Sequence, residues 1–216
     1  MATDDALLDE VAEAGEAGGA FLRLYCWDRP TLSIGRNQSE SQIESTGIPV
    51  VRRPTGGQAV LHQHELTYAV VAPVSRFGSL RAAYAEIHSR LATALRRLGV
   101  DAVLAPRPPR LAPAGGPRPR PNSCFADSVG GEILVNGRKL VGSAQVRRGT
   151  AFLQHGSILI DGAQPGSFNR EITLRMVLAR SVSFEEVASV IIESWPEPFA
   201  VAPASRPVVI ASLPRA

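Results

Sequence analysis

The chain has 216 residues, a net charge of +3 and 44% hydrophobic residues, which predicts one globular domain that is large enough to bury a proper core. Basic residues do not alternate with aromatic ones, which make up only 6% of the chain, so a nucleic-acid-binding protein is not expected. The sequence shows neither a signal peptide nor the roughly 18 consecutive apolar residues of a membrane span, and we therefore expect a cytoplasmic monomer that does not bind a membrane.

The first half of the chain is predicted to start with a helix and to continue in short strands. Apolar residues at three- and four-residue steps indicate its helices, and alternating apolar and polar residues indicate its strands. In chain order we predict a helix over 2–17 with Thr3 as its cap, strands over 21–27 and 31–34, a short helix over 39–46, a strand, a glycine turn and a strand over 50–73, and a helix over 79–98.

The second half contains the strongest turn signal and the longest irregular stretch. Asn136-Gly137 between two apolar runs is typical of a tight hairpin, and seven of the 17 prolines lie within 105–121, where they exclude regular structure. In chain order we predict a short strand over 102–105, a loop over 105–121, hairpin strands over 132–135 and 138–141, a strand over 151–160, a short helix from Asn169, a helix over 183–194 with Ser183 as its cap, and a Pro-rich tail over 201–216.

These elements do not alternate regularly between strand and helix. An irregular order favours an α+β fold, with a mixed, largely antiparallel sheet and flanking helices, over a doubly wound sheet. We expect one catalytic or binding domain over 1–200.

The densest cluster of candidate binding residues is Arg52-Arg53-Pro54-Thr55-Gly56-Gly57. Adjacent glycines let backbone N–H groups approach a ligand closely, and paired arginines favour an anion or a carbonyl oxygen. The segment is neither a Walker loop nor a dinucleotide fingerprint, because it lacks both glycine patterns. A glycine pair between strands is also typical of a plain turn or bulge, so the sequence leaves both interpretations open.

Lys139 is the only lysine among the 23 basic residues, and it lies in the predicted hairpin. Lysine, unlike arginine, can exchange a proton near neutral pH. Cys124 lies 15 residues earlier, close enough for the hairpin to bring the ammonium beside the thiol and make a reactive thiolate. A biased composition explains a single lysine equally well. A lone cysteine is usually a small buried hydrophobe, as we expect for Cys26.

The histidines suggest one pocket residue and no metal site. His62 and His64 are predicted to share one face of a strand, but no third ligand follows at an informative spacing, so no metal is expected. His88 is expected on the solvated, arginine-rich face of its helix. His155, next to a glycine in a strand, is a candidate pocket residue.

Four stretches taken together resemble the biotin/lipoate A/B protein ligase superfamily. They are Pro-Thr-Leu-Ser-Ile-Gly at 30–35, Arg-Arg-Pro-Thr-Gly-Gly-Gln-Ala-Val-Leu-His at 52–62 with Glu-Leu-Thr-Tyr at 65–68, Gly-Arg-Lys-Leu-Val-Gly-Ser-Ala-Gln at 137–145, and Gln-His-Gly-Ser at 154–157. Within the superfamily, Asn-Ser-Cys-Phe-Ala at 122–126, placed before Lys139, is similar to the LipM-type cysteine-dependent octanoyltransferases.

The resemblance implies a protein N-octanoyltransferase of lipoate assembly. An octanoyl group would move from acyl carrier protein, through a thioester on Cys124, to a lysine of a lipoyl domain such as the glycine-cleavage H protein, with Lys139 as the partner of the thiol. No cofactor is implied beyond the phosphopantetheine that carries the acyl group. The binding residues implied or suggested are Arg53, Gly56, Gly57 and His62 around the acyl chain, Gly142 and Ser143 or the residues after Gly56 as oxyanion donors, and His155 in the pocket.

Three alternatives remain open on the sequence. They are an ATP-dependent lipoate or octanoate ligase, for which Cys124 is incidental, an amidotransferase between lipoyl domains, and a degenerate lipoyl-domain binder. The binder is suggested by ends that are short for the family, which predict a missing edge strand. The arginines of 105–121 are either part of a solvated loop or a means of steering an acidic carrier protein.

Overall fold

The fold is taken from a computed structural model that describes residues 1–39, 47–106, 131–164 and 170–195 together with the backbone of Val208–Leu213. The predicted short helix over 39–46 and the predicted loop over 105–121 lie almost wholly outside these residues. None of the described helices is both long and apolar enough to cross a membrane.

Within the described residues the chain forms four α-helices and ten strands. The helices are α1 (Ala2–Ala14), α2 (Leu80–Arg97), α3 (Leu174–Leu178) and α4 (Phe184–Glu193). The strands are β1 (Ala20–Tyr25), β2 (Thr31–Ile34), β3 (Val50–Arg52), β4 (Val60–His62), β5 (Glu65–Pro73), β6 (Val103–Leu104), β7 (Ile133–Val135), β8 (Arg138–Arg148), β9 (Ala151–Leu159) and β10 (Val208–Leu213).

Seven of these strands form an antiparallel sheet in the order β10-β1-β5-β9-β8-β7-β6. The predicted turn joins β7 to β8, with Asn136 and Gly137 at φ angles of 51° and 72°, as a tight two-residue hairpin requires. A smaller sheet has the order β3-β2-β4 and contains one parallel pair, β2 with β3. The predicted α+β fold with a mixed, largely antiparallel sheet is therefore confirmed.

The large sheet is buried on both faces, as the side chains of β5 show. Tyr68 and Val70 belong to the core that contains α2 and α4, whereas Ala69 and Val71 belong to the core beneath α1. Successive side chains of a strand point to opposite faces. Because both faces are covered, polar side chains on the central strands are buried and need partners within the protein.

Several elements differ from the prediction. Strand β8 extends to Arg148, seven residues beyond its predicted end at 141. Helix α1 is preceded by Met1 rather than capped by Thr3, which lies inside it. Helix α3 begins at Leu174, where the Thr173 side chain accepts the N–H of Met176. Strand β10 lies in the region expected to be a tail and pairs with β1 at the edge of the large sheet.

Candidate active site

A cavity lies where the small sheet packs against the centre of the large sheet. Its empty space amounts to about 310 Å³, part of which is open to solvent, and its exposed lining is almost wholly apolar. The residues that line it are Met1, Ser33, Arg53, Val60, His62, Thr67, Gly142, Ser143, Ala144, His155, Gly156 and Ser157.

Most of the predicted binding residues come together at this cavity. The five that line it are Arg53, His62, Gly142, Ser143 and His155. Gly56 and Gly57 lie outside this lining, and Gly57 has a φ of 95°, which glycine adopts without strain. The glycine pair thus forms a turn beside the cavity, and its role in binding stays a prediction.

Lys139 lies at the start of β8, and its side chain is only 4% exposed. Its Nζ atom is 2.5 Å from Oε1 of Glu132, which is equally buried. The lysine backbone is also fixed, since its N–H donates to the carbonyl of Arg170 and its carbonyl accepts the N–H of Ile172. Gly142 lies three residues further along β8 and lines the cavity. Three residues of a strand span about 10 Å.

The two cysteines lie in different parts of the chain. Cys124 is outside the described residues, so its predicted approach to Lys139 stays a prediction. Cys26 is a free, exposed cysteine, and the prediction that it is buried is wrong because β1 ends at Tyr25.

His62 belongs to a buried set of hydrogen bonds that converges on the Glu65 carboxylate. The indole N–H of Trp27 donates to Thr67 Oγ1 (2.9 Å), and the Thr67 hydroxyl donates to Glu65 Oε1 (2.6 Å). The same carboxylate oxygen lies 2.5 Å from His62 Nδ1, which therefore carries the proton. The remaining nitrogen, Nε2, accepts the Ser33 hydroxyl at 2.6 Å.

Arg53 links this set of hydrogen bonds to the glycine turn. Its guanidinium donates to Ser33 Oγ at 3.2 Å and to the carbonyl oxygens of Gly56 and Gln58 at 2.9 and 2.6 Å. Since the side chain is buried, these contacts fix the turn that closes one side of the cavity.

Gly35 fits against the same turn, and Gly35→Ala is expected to displace it. A Cβ atom at Gly35 would lie 2.1 Å from the carbonyl oxygen of Gly57, a backbone atom. We expect the free energy of unfolding to fall by about 1–3 kcal/mol, as for other overpacked sites, measured by urea denaturation. Gly56→Ala is the matched control, because a Cβ there meets nothing within 4 Å. Equal midpoints for the two variants would contradict this account.

His155 lies in the large sheet and contacts Thr55, which precedes the glycine turn. Its Nε2 is 2.7 Å from Thr55 Oγ1 and its Nδ1 is 3.8 Å from Oδ2 of Asp4. Asp4 is fully buried and accepts hydrogen bonds from Arg23 and Tyr25. Burial opposes ionisation, but His155 and Arg23 together lower the pKa of Asp4 to about 2. Burial lowers the pKa of His155 despite the nearby carboxylate.

A second buried set of hydrogen bonds runs from the cavity wall toward the lysine. Its histidine, His88, has Nδ1 2.5 Å from the carbonyl oxygen of Gly131 and Nε2 2.8 Å from Ser143 Oγ. A carbonyl only accepts, so Nδ1 carries the proton, Nε2 accepts the Ser143 hydroxyl, and the Tyr68 hydroxyl donates to Ser143 at 2.6 Å. Burial lowers the pKa of His88 to about 4 against the effect of the Gly131 bond, and the charge of Lys139 lowers it further.

Two predictions about histidines are wrong. His88 is fully buried rather than solvated, because it lies four residues after Tyr84 and three before Leu91, on the buried stripe of α2. This spacing is the feature of the sequence that predicts the burial of His88. His64 does not share a face with His62, since it is exposed in the turn between β4 and β5. Among the described residues, no three His, Cys, Asp or Glu side chains are grouped as metal ligands.

The site combines a cavity whose exposed surface is apolar with a buried lysine that has a carboxylate partner. The polar atoms of the side chains around the cavity are held in place by hydrogen bonds to one another. The site suits a reaction in which an apolar chain is held in place while a proton moves to or from a lysine. His62 and His88 both act as acceptors at Nε2, and both are already engaged by serine hydroxyls.

A model of one protein family matches nearly the whole chain. The family is described as "Lipoyl protein ligase A/B catalytic domain", and the match covers residues 1–195.

Several curated relatives share much of this sequence. Octanoyltransferase LipM of Carboxydothermus hydrogenoformans is 42% identical over 171 residues, which are 74% of this chain and 60% of the relative. Octanoyltransferase LipM of Staphylococcus aureus is 41% identical over 171 residues, 74% of this chain and 61% of the relative. The chain therefore spans about 60% of the length of the curated relatives that it matches.

Solved structures of lipoate protein ligases share the fold. Lipoate-protein ligase A bound with ATP aligns with a TM-score of 0.62 at 24% identity over 88% of this chain and 76% of that one. A bipartite lipoate protein ligase from Thermoplasma acidophilum aligns with a TM-score of 0.58 at 20% identity over 89% of this chain and 77% of that one.

Proposed function

Because the chain belongs to the lipoyl protein ligase A/B catalytic domain family, and because its octanoyltransferase relatives reach 42% identity, we propose that it is an octanoyltransferase of lipoate assembly. The observation that carries the proposal is the lone lysine of the chain, buried against Glu132 at one end of the strand that also forms a wall of the apolar cavity. An arginine at this position would supply charge but no exchangeable proton.

In the first step the thiolate of Cys124 attacks the carbonyl carbon of an octanoyl thioester on acyl carrier protein. A new carbon–sulfur bond forms to Cys124, the bond to the phosphopantetheine sulfur breaks, and the departing thiolate takes a proton from the Lys139 ammonium. The products are an octanoyl-enzyme, a free carrier thiol and a neutral Lys139 amine.

In the second step the neutral amine of a lysine on a lipoyl domain, such as the glycine-cleavage H protein, attacks the octanoyl-enzyme. An amide bond forms, the thioester bond to Cys124 breaks, and the proton lost by the attacking amine returns to Lys139. The thiolate and the ammonium are restored. The cycle is balanced without ATP, because conversion of a thioester to an amide is downhill.

The cavity is proposed to hold the octanoyl chain. Each methylene that leaves water contributes about 0.8 kcal/mol to binding, and Val60 with Ala144 and Gly156 supply apolar walls. Arg53 and His62 lie at this cavity with their side chains tied into buried hydrogen bonds, so their proposed contribution is the shape of the slot.

The proposal is tested by intact-protein and peptide mass spectrometry after incubation with octanoyl acyl carrier protein. One octanoyl group is expected on Cys124, and its transfer to H protein is expected to follow. The adduct should be absent in Cys124→Ser and present in Cys26→Ser, which is a matched control because Cys26 is exposed and is not part of the proposed mechanism.

Two other results would replace the proposal. Release of pyrophosphate that depends on free octanoate or lipoate, without an adduct on Cys124, would identify an ATP-dependent ligase. Binding of a lipoyl domain with no acyl transfer from any donor would identify a binding protein.

A further inference from the structure

Glu132 and Lys139 form a buried ion pair across the hairpin of β7 and β8. Their side chains are 1% and 4% exposed, with Oε1 and Nζ 2.5 Å apart. Glu132 is preceded by Gly131, whose carbonyl accepts the Nδ1–H of His88. The backbone next to Glu132 is therefore held from α2, and the lysine backbone is held by Arg170 and Ile172.

This pair has a chemical consequence for the lysine. A buried ammonium without a carboxylate loses its proton readily, because removal from water disfavours the charged form. A carboxylate in contact reverses that effect and also fixes the direction of the N–H bonds. Active nucleophiles commonly depend on a partner that is itself oriented by a third group.

We propose that Glu132 is a positioning residue that keeps Lys139 protonated and fixes the direction of its ammonium group. The catalytic part of this inference rests on the proposed octanoyl transfer, whereas the effect of Glu132 on the charge of Lys139 does not. During a cycle Lys139 gives up its proton in the first step and recovers it in the second, and Glu132 remains an anion throughout.

Three polar groups of the described residues near this ion pair have contacts of their own. His88 faces it from α2 and is neutral, with its Nδ1–H used on Gly131. Glu171 forms a backbone bridge with Lys139, but its Oε1 accepts the N–H of Gln164. The Tyr68 hydroxyl is 2.6 Å from the Ser143 hydroxyl, to which it donates.

The single lysine makes a direct experiment possible. Protein grown with [ε-13C]lysine contains one labelled side chain, so one NMR resonance reports the charge of Lys139 as the pH is changed. In Glu132→Gln, which keeps shape but removes charge, we expect the lysine to lose its proton at a pH at least about one unit lower than in the wild type. The alkaline limb of the octanoyl-transfer pH profile should move by the same amount.

Glu171→Gln is the matched control, because it removes an equally buried carboxylate next to the lysine backbone. Its lysine titration is expected to match that of the wild type. Glu132→Asp keeps the negative charge but shortens the side chain by one methylene. We expect the lysine titration to shift in the same direction as in Glu132→Gln, but by less. Glu132→Asp also serves as the test if Glu132→Gln does not fold.

The outcomes separate the two proposals. An unchanged lysine titration in Glu132→Gln, or in Glu132→Asp if only that variant folds, would overturn the role of Glu132 even if the wild type transfers octanoyl groups. A shifted titration in a protein that never acylates Cys124 would leave the Glu132–Lys139 coupling in place and remove the proposed function. A shifted titration with an unshifted pH profile would overturn the catalytic part of the inference.

Discussion

Lys139→Arg is expected to lower the rate of octanoyl transfer by at least about 100-fold, the usual contribution of a proton-transferring side chain. The substitution keeps a positive charge beside Glu132, but a guanidinium does not release a proton near neutral pH. The departing carrier thiolate then has no proton donor and the attacking amine has no acceptor. Single-turnover acylation of Cys124, followed by mass spectrometry between pH 6 and pH 9, measures the first of these effects.

Arg138→Lys is the matched control for this experiment, since it makes the opposite exchange at the neighbouring residue of β8 and leaves Lys139 in place. We expect its acylation rate to stay within about threefold of the wild type, because successive side chains of a strand point to opposite faces. Acylation of Lys139→Arg at the wild-type rate across the pH range would show that the lysine supplies only charge. The thermal unfolding of both variants establishes that a slow rate is not a loss of folded protein.

Much of the site could be predicted because its residues occur in local patterns. Arg53 and His62 belong to one short stretch, and the Asn-Gly turn places Lys139 in a hairpin. Glu132 has no such signal, because the contact depends on the register across β7 and β8, which shifts between Ile133 and Leu134. Ser33 was equally hidden, since its hydrogen bond to His62 joins two strands 29 residues apart.

The fold was predictable where one local signal dominated. The periodic spacing in α2, the Asn-Gly turn between β7 and β8 and the serine before α4 each predicted an element. Strand β10 could not be predicted in this way. An apolar run after a Pro-rich segment forms a strand only because it pairs with the edge of β1. The burial of His88 could be predicted from its spacing in α2, whereas its partners Gly131 and Ser143 could not, because they lie 43 and 55 residues further along the chain.

Between pH 6.5 and pH 4 the protein is expected to lose about 3 kcal/mol of its free energy of unfolding through His88 alone. Burial lowers the pKa of this imidazole from 6.5 to about 4, because a second proton would place a charge in the core and break the bond that Nε2 accepts from Ser143. In this interval the unfolded chain binds a proton that the native protein does not, so stability falls as the pH falls. Below about pH 4 both states are protonated and the loss stops.

His88→Asn separates this effect from the other titrations. Asparagine does not titrate and carries an N–H near the position of Nδ1, from which it can still donate to the carbonyl of Gly131. We expect the variant to be less stable than the wild type at pH 7 but to show a much flatter stability profile from pH 6.5 to pH 4 in urea unfolding. The lowered pKa of His155 makes the wild type and the variant lose stability in the same interval, so only the difference between the two slopes reports His88. Parallel profiles would mean that His88 takes up its proton at the same pH in the native protein and in the unfolded chain, and that the proton on Nε2 is tolerated beside Ser143.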